Sequence, residues 1–445
     1  MKIGMIAMSG IRACDPELLR LGLTLPGFVE RSKTIASLPS LGLLTLAGMT
    51  PREHEVSYVE VPELSQLQDL PVFDLVAISS LSAQIKEAYA LAERYRAVGV
   101  PVVMGGLHVN SLPREAASFA STAVVGEGET CWDKVVRDAE KGRLQKFYGA
   151  GEAGFDLAHA PMPAFELLDI ARYNRITVQT SRGCPHRCEF CASSVLLTSK
   201  YKQKPVEKVL QEIDKILTIW DRPFLEFADD NSFINRRYWK ELLPQLERRK
   251  IRWFTETDLS VSEDDELLDM MCRAGCAQVL IGLESPVDAG LHGIELRNDW
   301  KLKRRPRYVE AVRRIQSHGI TVNGCFVLGL DGQTPEVFDQ VFAFVEESEL
   351  YEVQVTIQTA FPGTPLYDRL KRAGRIIEDG CWEKCTLFDI NYWPDGMTLQ
   401  ELDRGFKDLV VRLYSDEFTN WRRTSFTRQL RAARRRERSS VLLSQ

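Results

Sequence analysis

Apolar and polar positions alternate along the chain in two long series. In residues 1–148, strand-length apolar runs ("KIGMIAMS", "HEVSYVEV", "FDLVAISS", "PVVMGGL", "STAVVGEGE") are separated by segments of helical period. These include "SLPSLGLLTLAGMTP", ending at Pro51, "AQIKEAYALAERYRAVG", closed by a glycine, and "TCWDKVVRDAEKG". Five strands alternating with helices predict a doubly wound α/β domain with a parallel sheet. Residues 149–172 carry Gly, Ala and Pro without periodicity and read as a linker. From Tyr173 the alternation resumes with longer helices. The strands "RITVQTS", "FLEFADD", "IRWFTET", "AQVLIGLES", "TVNGCFVLGL" and "EVQVTIQTAF" define six β/α units over 173–375. A closed barrel needs eight, so a partial (β/α)6 barrel is expected. Residues 376–445 form a smaller C-terminal extension. It ends in "WRRTSFTRQLRAARRRERSS", where the arginines from Arg422 to Arg438 read as a solvated helix end or frayed tail.

Bulk composition narrows the function classes. With 445 residues, 44% hydrophobic and 27% charged, the chain has the balance of a soluble globular protein. A net charge of −5 makes no case for nucleic acid or a membrane surface as primary partner. No apolar stretch approaches the ~20 residues of a membrane span, and the N-terminus lacks a signal-peptide pattern. Ten irregularly placed cysteines do not make a secreted disulfide framework, which points to the reducing cytoplasm.

Chemistry concentrates in "TSRGCPHRCEFCASS", where Cys184, Cys188 and Cys191 follow a C-x3-C-x2-C spacing. Three cysteines cannot pair evenly as disulfides, and zinc would want a fourth ligand. Three thiolates suit an iron–sulfur cluster with one iron left open. Their place, in the loop leaving the first strand of the second series, is where β/α barrels carry reactive groups. Cys272-x3-Cys276 and Cys381-x3-Cys385 are too few to hold a further cluster alone, so structural roles lead for both.

The cysteine spacing, with Phe190 before the last cysteine, resembles the radical S-adenosylmethionine (SAM) superfamily. "LEFADDN", "IGLES", "GCFVLGLDGQT" and "TAFPGTPLYDRL", in the right order at later strand ends, extend the resemblance. It implies that a 4Fe–4S cluster on the three cysteines is chelated by SAM, and that one electron cleaves a carbon–sulfur bond, usually releasing a 5′-deoxyadenosyl radical. It assigns to the SAM site Phe190 near the adenine, Asp229 (with Asp230) after the second strand, Glu284 as a hydrogen-bonding carboxylate, and Gly324, Gly329 and Gly332 as points of close backbone approach. Each has a plainer alternative: Phe190 as core, Glu284 paired with an arginine, the glycines as turn residues.

The first sheet, placed directly before such a barrel, resembles the cobalamin-binding domain of one radical SAM branch, through "SLPSLGLLTLAG", "DLVAISSLSAQ", "VVMGGLHVNSLP" and "VVGEGE". The resemblance extends to "PMPAFELLDI" and "CTLFDINYWPDGMTLQEL". It makes Ser79, Ser80, Gly105, Gly106, Gly126 and Gly128 candidates for the corrin and its tail, with small residues letting it approach backbone N–H groups. No histidine sits in the Asp-x-His-x-x-Gly pattern that ligates cobalt in many such domains, and His108 reads as a loop residue. A degenerate domain that binds nothing therefore stays open. For the branch, the usual reaction is methylation of an unactivated centre in a small molecule, with flavodoxin or ferredoxin as electron donor. Ring formation, rearrangement and 3-amino-3-carboxypropyl transfer (as to arsenic in arsinothricin biosynthesis) are alternatives. A non-enzymatic cobalamin or iron–sulfur sensor is the reading from another class.

Overall fold

The computed structural model describes residues 1–21, 38–149, 151, 154–193 and 200–443, the side chains beyond residue 433 excepted. These residues form two compact units. One comprises those up to Pro223 together with Thr359–Asn391, and the other Phe224–Gln358 with those from Tyr392 onward.

The first unit is built on a six-stranded parallel sheet. Its strands are β1 (Lys2–Met8), β2 (Glu55–Val61), β3 (Leu75–Ser79), β4 (Val102–Gly105), β5 (Thr122–Val124) and β6 (Phe147–Tyr148), in the order β2-β1-β3-β4-β5-β6. The chain winds outward from β1 in both directions, so the crevice at the C-terminal ends of β1 and β3 is a topological switch point. Every β1 residue after Lys2 is buried, as continuous apolar strands covered on both faces require. One face packs Ile3, Met5, Leu75, Ala77 and Val103 against Leu43 and Ala47 of helix Leu41–Met49 and Trp132, Val135 and Val136 of helix Trp132–Glu140. Ser40 caps the former helix by accepting from the Leu43 N–H. The two-residue β6 was not predicted, since so short a strand carries no period. Residues 157–159, 165–167 and 170–172 of the predicted linker form single turns, and Leu157 and Phe165 among them are buried.

The predicted strand "RITVQTS" is interrupted. β7 (Ile176–Val178) stops where the Thr180 carbonyl accepts from the Lys204 N–H at 2.8 Å and from Gln203 Nε2 at 2.9 Å. β8 (Ser181–Arg182) then pairs antiparallel with β9 (Lys202–Gln203), so the cysteine loop is clamped at both ends.

The second unit carries β10 (Phe224–Phe227), β11 (Arg252–Thr257), β12 (Cys276–Glu284), β13 (Thr321–Leu328) and β14 (Glu352–Ile357), parallel and in sequence order. Helices cover one face: Trp239 of helix Arg236–Arg249 meets Phe227 and Trp253, and Phe344 of helix Val337–Ser348 meets Phe326. The predicted tail is a helix, Asp416–Leu443. Arg422 in it is a correction to the solvated reading: it is fully buried, donating to the Tyr351 and Leu413 carbonyls and pairing with Glu352 at 3.3 Å. Buried backbone acceptors and a carboxylate supply what water would otherwise give its guanidinium. Arg434, Arg435, Arg436 and Arg438 lie outside the described side chains. Among the described residues no helix is long and apolar enough to cross a membrane.

Candidate functional site

The cysteine loop is shaped by two left-handed residues, Gly183 (φ 88°) and Arg187 (φ 49°). Such a conformation is costly for arginine and marks a backbone held in place by its surroundings. The Cys191 N–H closes a turn on the Cys188 carbonyl at 3.1 Å. Between them Glu189 turns to helix Pro365–Arg372, where Arg369 grips its carboxylate in bidentate fashion at 2.5 and 3.0 Å. Cys188 is buried, while Cys184, Cys191 and Phe190 are half-buried. Among the described residues no three His, Cys, Asp or Glu side chains are already gathered into a metal-holding group. What fits an iron–sulfur cluster here is the donor set, three thiols on one clamped loop.

In the same unit the candidate corrin residues lie together at the C-terminal ends of β3, β4 and β5. A Cβ added at Gly105 or Gly126 would meet nothing nearer than 3.8 Å, so both keep space open. Gly106, at φ 107°, is needed for its conformation, and a side chain there would press on the Ser80 carbonyl and Ser79 Oγ at 3.2 and 3.3 Å. A Cβ at Gly128 would press on Leu46. Ser80 Oγ is turned inward, donating to the Leu81 carbonyl at 2.9 Å. His108 is not the loop residue expected. It lies in the short helix Leu107–Ser111, fully buried, with Nδ1 3.0 Å from Ser82 Oγ and Nε2 3.3 Å from Glu115. Burial lowers its pKa, and neither nitrogen is left for cobalt.

The loop between the two candidate glycines after β5 is fastened to the strand that leads into the cysteines. Arg182 of β8 donates to Glu127 at 2.8 Å and to Glu129 at 2.5 Å, and Lys202 of β9 pairs with the other Glu127 oxygen at 2.5 Å. The Phe155 N–H adds a fourth bond at 2.7 Å. Burial alone would raise the Glu127 pKa; Lys202, Arg182 and Phe155 outweigh it and hold the carboxyl below the usual range. Reading "VVGEGE" for its glycines missed both glutamates, although their alternation with glycine was the available signal.

In the second unit Glu284 ends β12 in the left-handed region, φ 62°, at a break in the β12–β13 register. Its partner is Lys301, not an arginine; both are buried, and the Lys301 ammonium also donates to the Gly282 carbonyl at 2.8 Å. A Cβ at Gly282 would collide with this pair, so the glycine makes room for it. Asp229 is buried, accepting from Ser232 Oγ at 3.1 Å. A Cβ at Gly324 would strike Leu350 and Leu283 on the helix-covered face; one at Gly329 (φ 82°) would strike the Tyr392 hydroxyl, and Gly332 (φ 81°) is likewise a left-handed turn residue. At all three the space beside the Cα is occupied by protein atoms.

The other face of this sheet carries most of its polar side chains, with the apolar Phe254 and Leu280 among them. Strand register places Glu226, Glu256, Gln278, Asn323, Cys325, Gln354 and Thr356 on the side opposite the tryptophan cluster. Sequence reading placed these strands without assigning their faces. Glu256 is exposed; burial of its surroundings, then the carboxyls of Glu226, Asp230 and Asp229, raise its carboxyl above the usual range.

Comparison with known proteins adds to this geometry. Residues 178–345 match the family model "Radical SAM superfamily", 33–136 match "B12 binding domain", and 364–444 match a domain of unknown function. The chain is 30% identical over 393 residues to the hopanoid C-2 methylase of Rhodopseudomonas palustris (strain TIE-1), covering 86% of this chain and 72% of that one. It is 27% identical to the bacteriochlorophyllide d C-8(2)-methyltransferase of Chlorobaculum tepidum, covering 78% of each. Its fold resembles the radical S-adenosylmethionine methyltransferase TsrM of Kitasatospora setae, solved with cobalamin and a [4Fe-4S] cluster, with a TM-score of 0.62, 16% identity, and 84% and 75% of the two chains covered.

Proposed function

The chain belongs to the radical SAM superfamily, in the branch with a cobalamin-binding domain, and on that premise we propose that it is a transferase that methylates an unactivated centre of a small-molecule substrate. The observation that carries this reading is the Arg182–Glu127–Glu129 junction, which ties the loop between Gly126 and Gly128 to the strand entering Cys184. A methyltransferase of this kind needs its two cofactor loops held in register, and one buried guanidinium supplies that tie.

In this reading residues 1–148 are the cobalamin-binding domain, 173–375 the radical SAM barrel and 376–445 an extension. Cys184, Cys188 and Cys191 hold the cluster. Phe190, Glu284 and Asp229 serve SAM, and Ser79, Ser80, Gly105, Gly106, Gly126 and Gly128 border the corrin. When bound, the cluster with SAM supplies one-electron cleavage of a sulfonium carbon–sulfur bond, and cobalamin supplies a methyl carrier. The chain's own part is to grip the cysteine loop through Glu189 and Arg369, to keep His108 away from cobalt, and to hold Glu284 against Lys301. A cytoplasmic setting with flavodoxin or ferredoxin as electron donor suits the reducing chemistry. Similarity to methylases along most of the chain weighs against a sensor and against 3-amino-3-carboxypropyl transfer.

The test is anaerobic incubation of reconstituted protein with methyl-labelled SAM, cobalamin and a strong reductant. S-adenosylhomocysteine together with 5′-deoxyadenosine supports the reading. Methylthioadenosine in their place would overturn it in favour of aminocarboxypropyl transfer.

A further inference from the structure

The loops at the C-terminal end of the first unit's sheet are held from outside residues 1–148. Arg182 and Lys202 fasten the loop after β5. Residues 381–389, at the head of the C-terminal extension, fasten the connections after β1, β3 and β4. Asp389 is buried and accepts from the Cys14 N–H at 2.8 Å, the Asp15 N–H at 3.1 Å and Thr386 Oγ1 at 2.6 Å, which pins the end of the loop leaving β1. Cys14 Sγ adds a contact with the Glu383 carbonyl at 3.3 Å. After β3, Lys86 in the first turn of helix Ile85–Ala97 pairs with Glu383 at 2.7 Å. After β4, Trp382 donates from Nε1 to Glu115 at 3.1 Å and stands edge-on to His108, with ring centres 5.5 Å apart. The same Glu115 oxygen accepts from the Tyr89 hydroxyl at 3.0 Å. The Lys86–Glu383 pair is open to solvent and contributes little by itself. The Asp389 and Trp382 bonds are shielded, and breaking either leaves polar groups without partners.

We propose that residues 381–389 are a clasp that pre-forms the cobalamin crevice, with Asp389 and Trp382 as its positioning residues. The assignment rests on the cobalamin reading and gives the extension a part in it. The crevice opens between the connections leaving β1 and β3, where the chain winds outward in both directions. Residues 9–13 of the β1 connection carry no regular structure. A segment without a ladder or helix of its own takes its backbone partners from elsewhere, and Asp389 supplies acceptors to two adjacent N–H groups at its far end. Trp382 acts on the chain after Gly105 and Gly106: its ring backs His108 in helix Leu107–Ser111, and its N–H fixes Glu115 in helix Pro113–Phe119. Holding these walls in place before the ligand arrives removes an ordering cost from binding. Asp389 and Trp382 act through the loops they hold, with no contact to the corrin assigned to either.

The test is hydroxocobalamin binding to the reconstituted full chain, read as a dissociation constant from visible absorbance and as the gain in melting temperature on adding the ligand. Asp389→Asn keeps the side-chain shape but turns an amide N–H toward one of the backbone donors. It should weaken binding about tenfold and shrink the ligand-induced gain, with iron content at the wild-type level. Trp382→Phe keeps a ring beside His108 and loses the bond to Glu115, so it should weaken binding less than Trp382→Ala, which loses both. If Asp389→Asn does not fold, the two Trp382 variants carry the expectation. Variants that melt lower without ligand, yet keep the wild-type dissociation constant and ligand-induced gain, would overturn the proposal in favour of a structural role alone. Tighter binding by the variants would also overturn it, since the segment would then obstruct the crevice. Wild-type protein that binds no hydroxocobalamin would overturn the cobalamin reading and the clasp with it, whereas wild-type binding with unaffected variants would overturn the clasp alone.

Discussion

Arg182 lies between two glutamates of a single loop, with one guanidinium nitrogen 2.8 Å from Glu127 and another 2.5 Å from Glu129. All three side chains are largely buried. Breaking a buried pair from one side leaves the other charge uncompensated, at a cost of about 3–5 kcal/mol. Arg182→Ala should therefore lower the unfolding temperature and weaken retention of both cobalamin and iron. Arg182→Lys, which cannot bridge two carboxylates in a fork, should fall between. Gel filtration followed by cobalt and iron analysis reads both losses. A variant that keeps both cofactors at wild-type levels would show the junction to be dispensable.

The same junction sets an acid limit. The Glu127 pKa is depressed in the folded chain, so its contribution is fully present above the unfolded carboxyl value of about 4.3 and is lost as the pH falls through the lower folded value. Melting temperature measured against pH should fall on the acid side of about pH 4.3. Glu127→Gln should be less stable at neutral pH and show a shallower acid slope. An unchanged slope would place the acid sensitivity elsewhere.

Iron loading separates the cysteines. Alanine at Cys184, Cys188 or Cys191 removes one cluster corner and should strip most of the iron and the absorbance near ~400 nm. Cys276 is buried, its thiol raised by desolvation and turned to the Gln278 carbonyl at 3.6 Å, so Cys276→Ala should leave iron unchanged and cost only a small packing loss. Equal iron loss from Cys276→Ala would sink the assignment of the triplet.

Glu284 needs a paired test, because Lys301 already holds it. Glu284→Ala would leave a buried ammonium uncompensated and confound affinity with stability, at about 3–5 kcal/mol. Glu284→Gln keeps the shape and should weaken SAM binding about tenfold if the carboxylate touches SAM. Lys301→Met should destabilise the fold without weakening SAM binding. If both variants bind SAM as wild type does, the pair is a structural latch for a strained strand end.

What could be read from the sequence, and what could not, divides along physical lines. Apolar runs such as "KIGMIAM" became strands because both faces of a parallel sheet are buried and leave a continuous signal. The cysteine triplet and the glycine-rich strand ends were legible because their information is local. Arg422 was not, since its burial depends on Glu352, seventy residues earlier in the chain. Lys301 was hidden for the same reason, lying 17 residues beyond Glu284 in a charged stretch. The polar face was legible in principle: Glu226, Glu256, Gln278, Asn323 and Gln354 each fall at alternate strand positions. Hydrophobic neighbours on the helix side masked that period. Gly324 shows the converse, in that a residue type shared with ligand loops here also leaves room for Leu350.

Cobalamin binding is tested by separating open space from backbone need. Gly105 has no heavy atom within 3.8 Å of a built Cβ and lies outside the left-handed region, so Gly105→Val is sterically tolerable to the protein itself. Gly106, at φ 107°, is not, and valine there would strain the turn and press on Ser79 and Ser80. If a corrin occupies this sheet end, Gly105→Val should abolish retention of hydroxocobalamin through gel filtration while leaving the melting temperature and iron content near wild type. Gly106→Val should lose cobalamin and also lower the melting temperature. Wild type should retain about one equivalent, on the logic of a pre-formed pocket. In the cob(II)alamin state its paramagnetic resonance should lack coupling to a protein nitrogen, since both nitrogens of His108 are engaged by Ser82 and Glu115. Retention by Gly105→Val equal to wild type would move the corrin away from β4. Nitrogen coupling from the protein would show that a histidine other than the buried His108 reaches the cobalt.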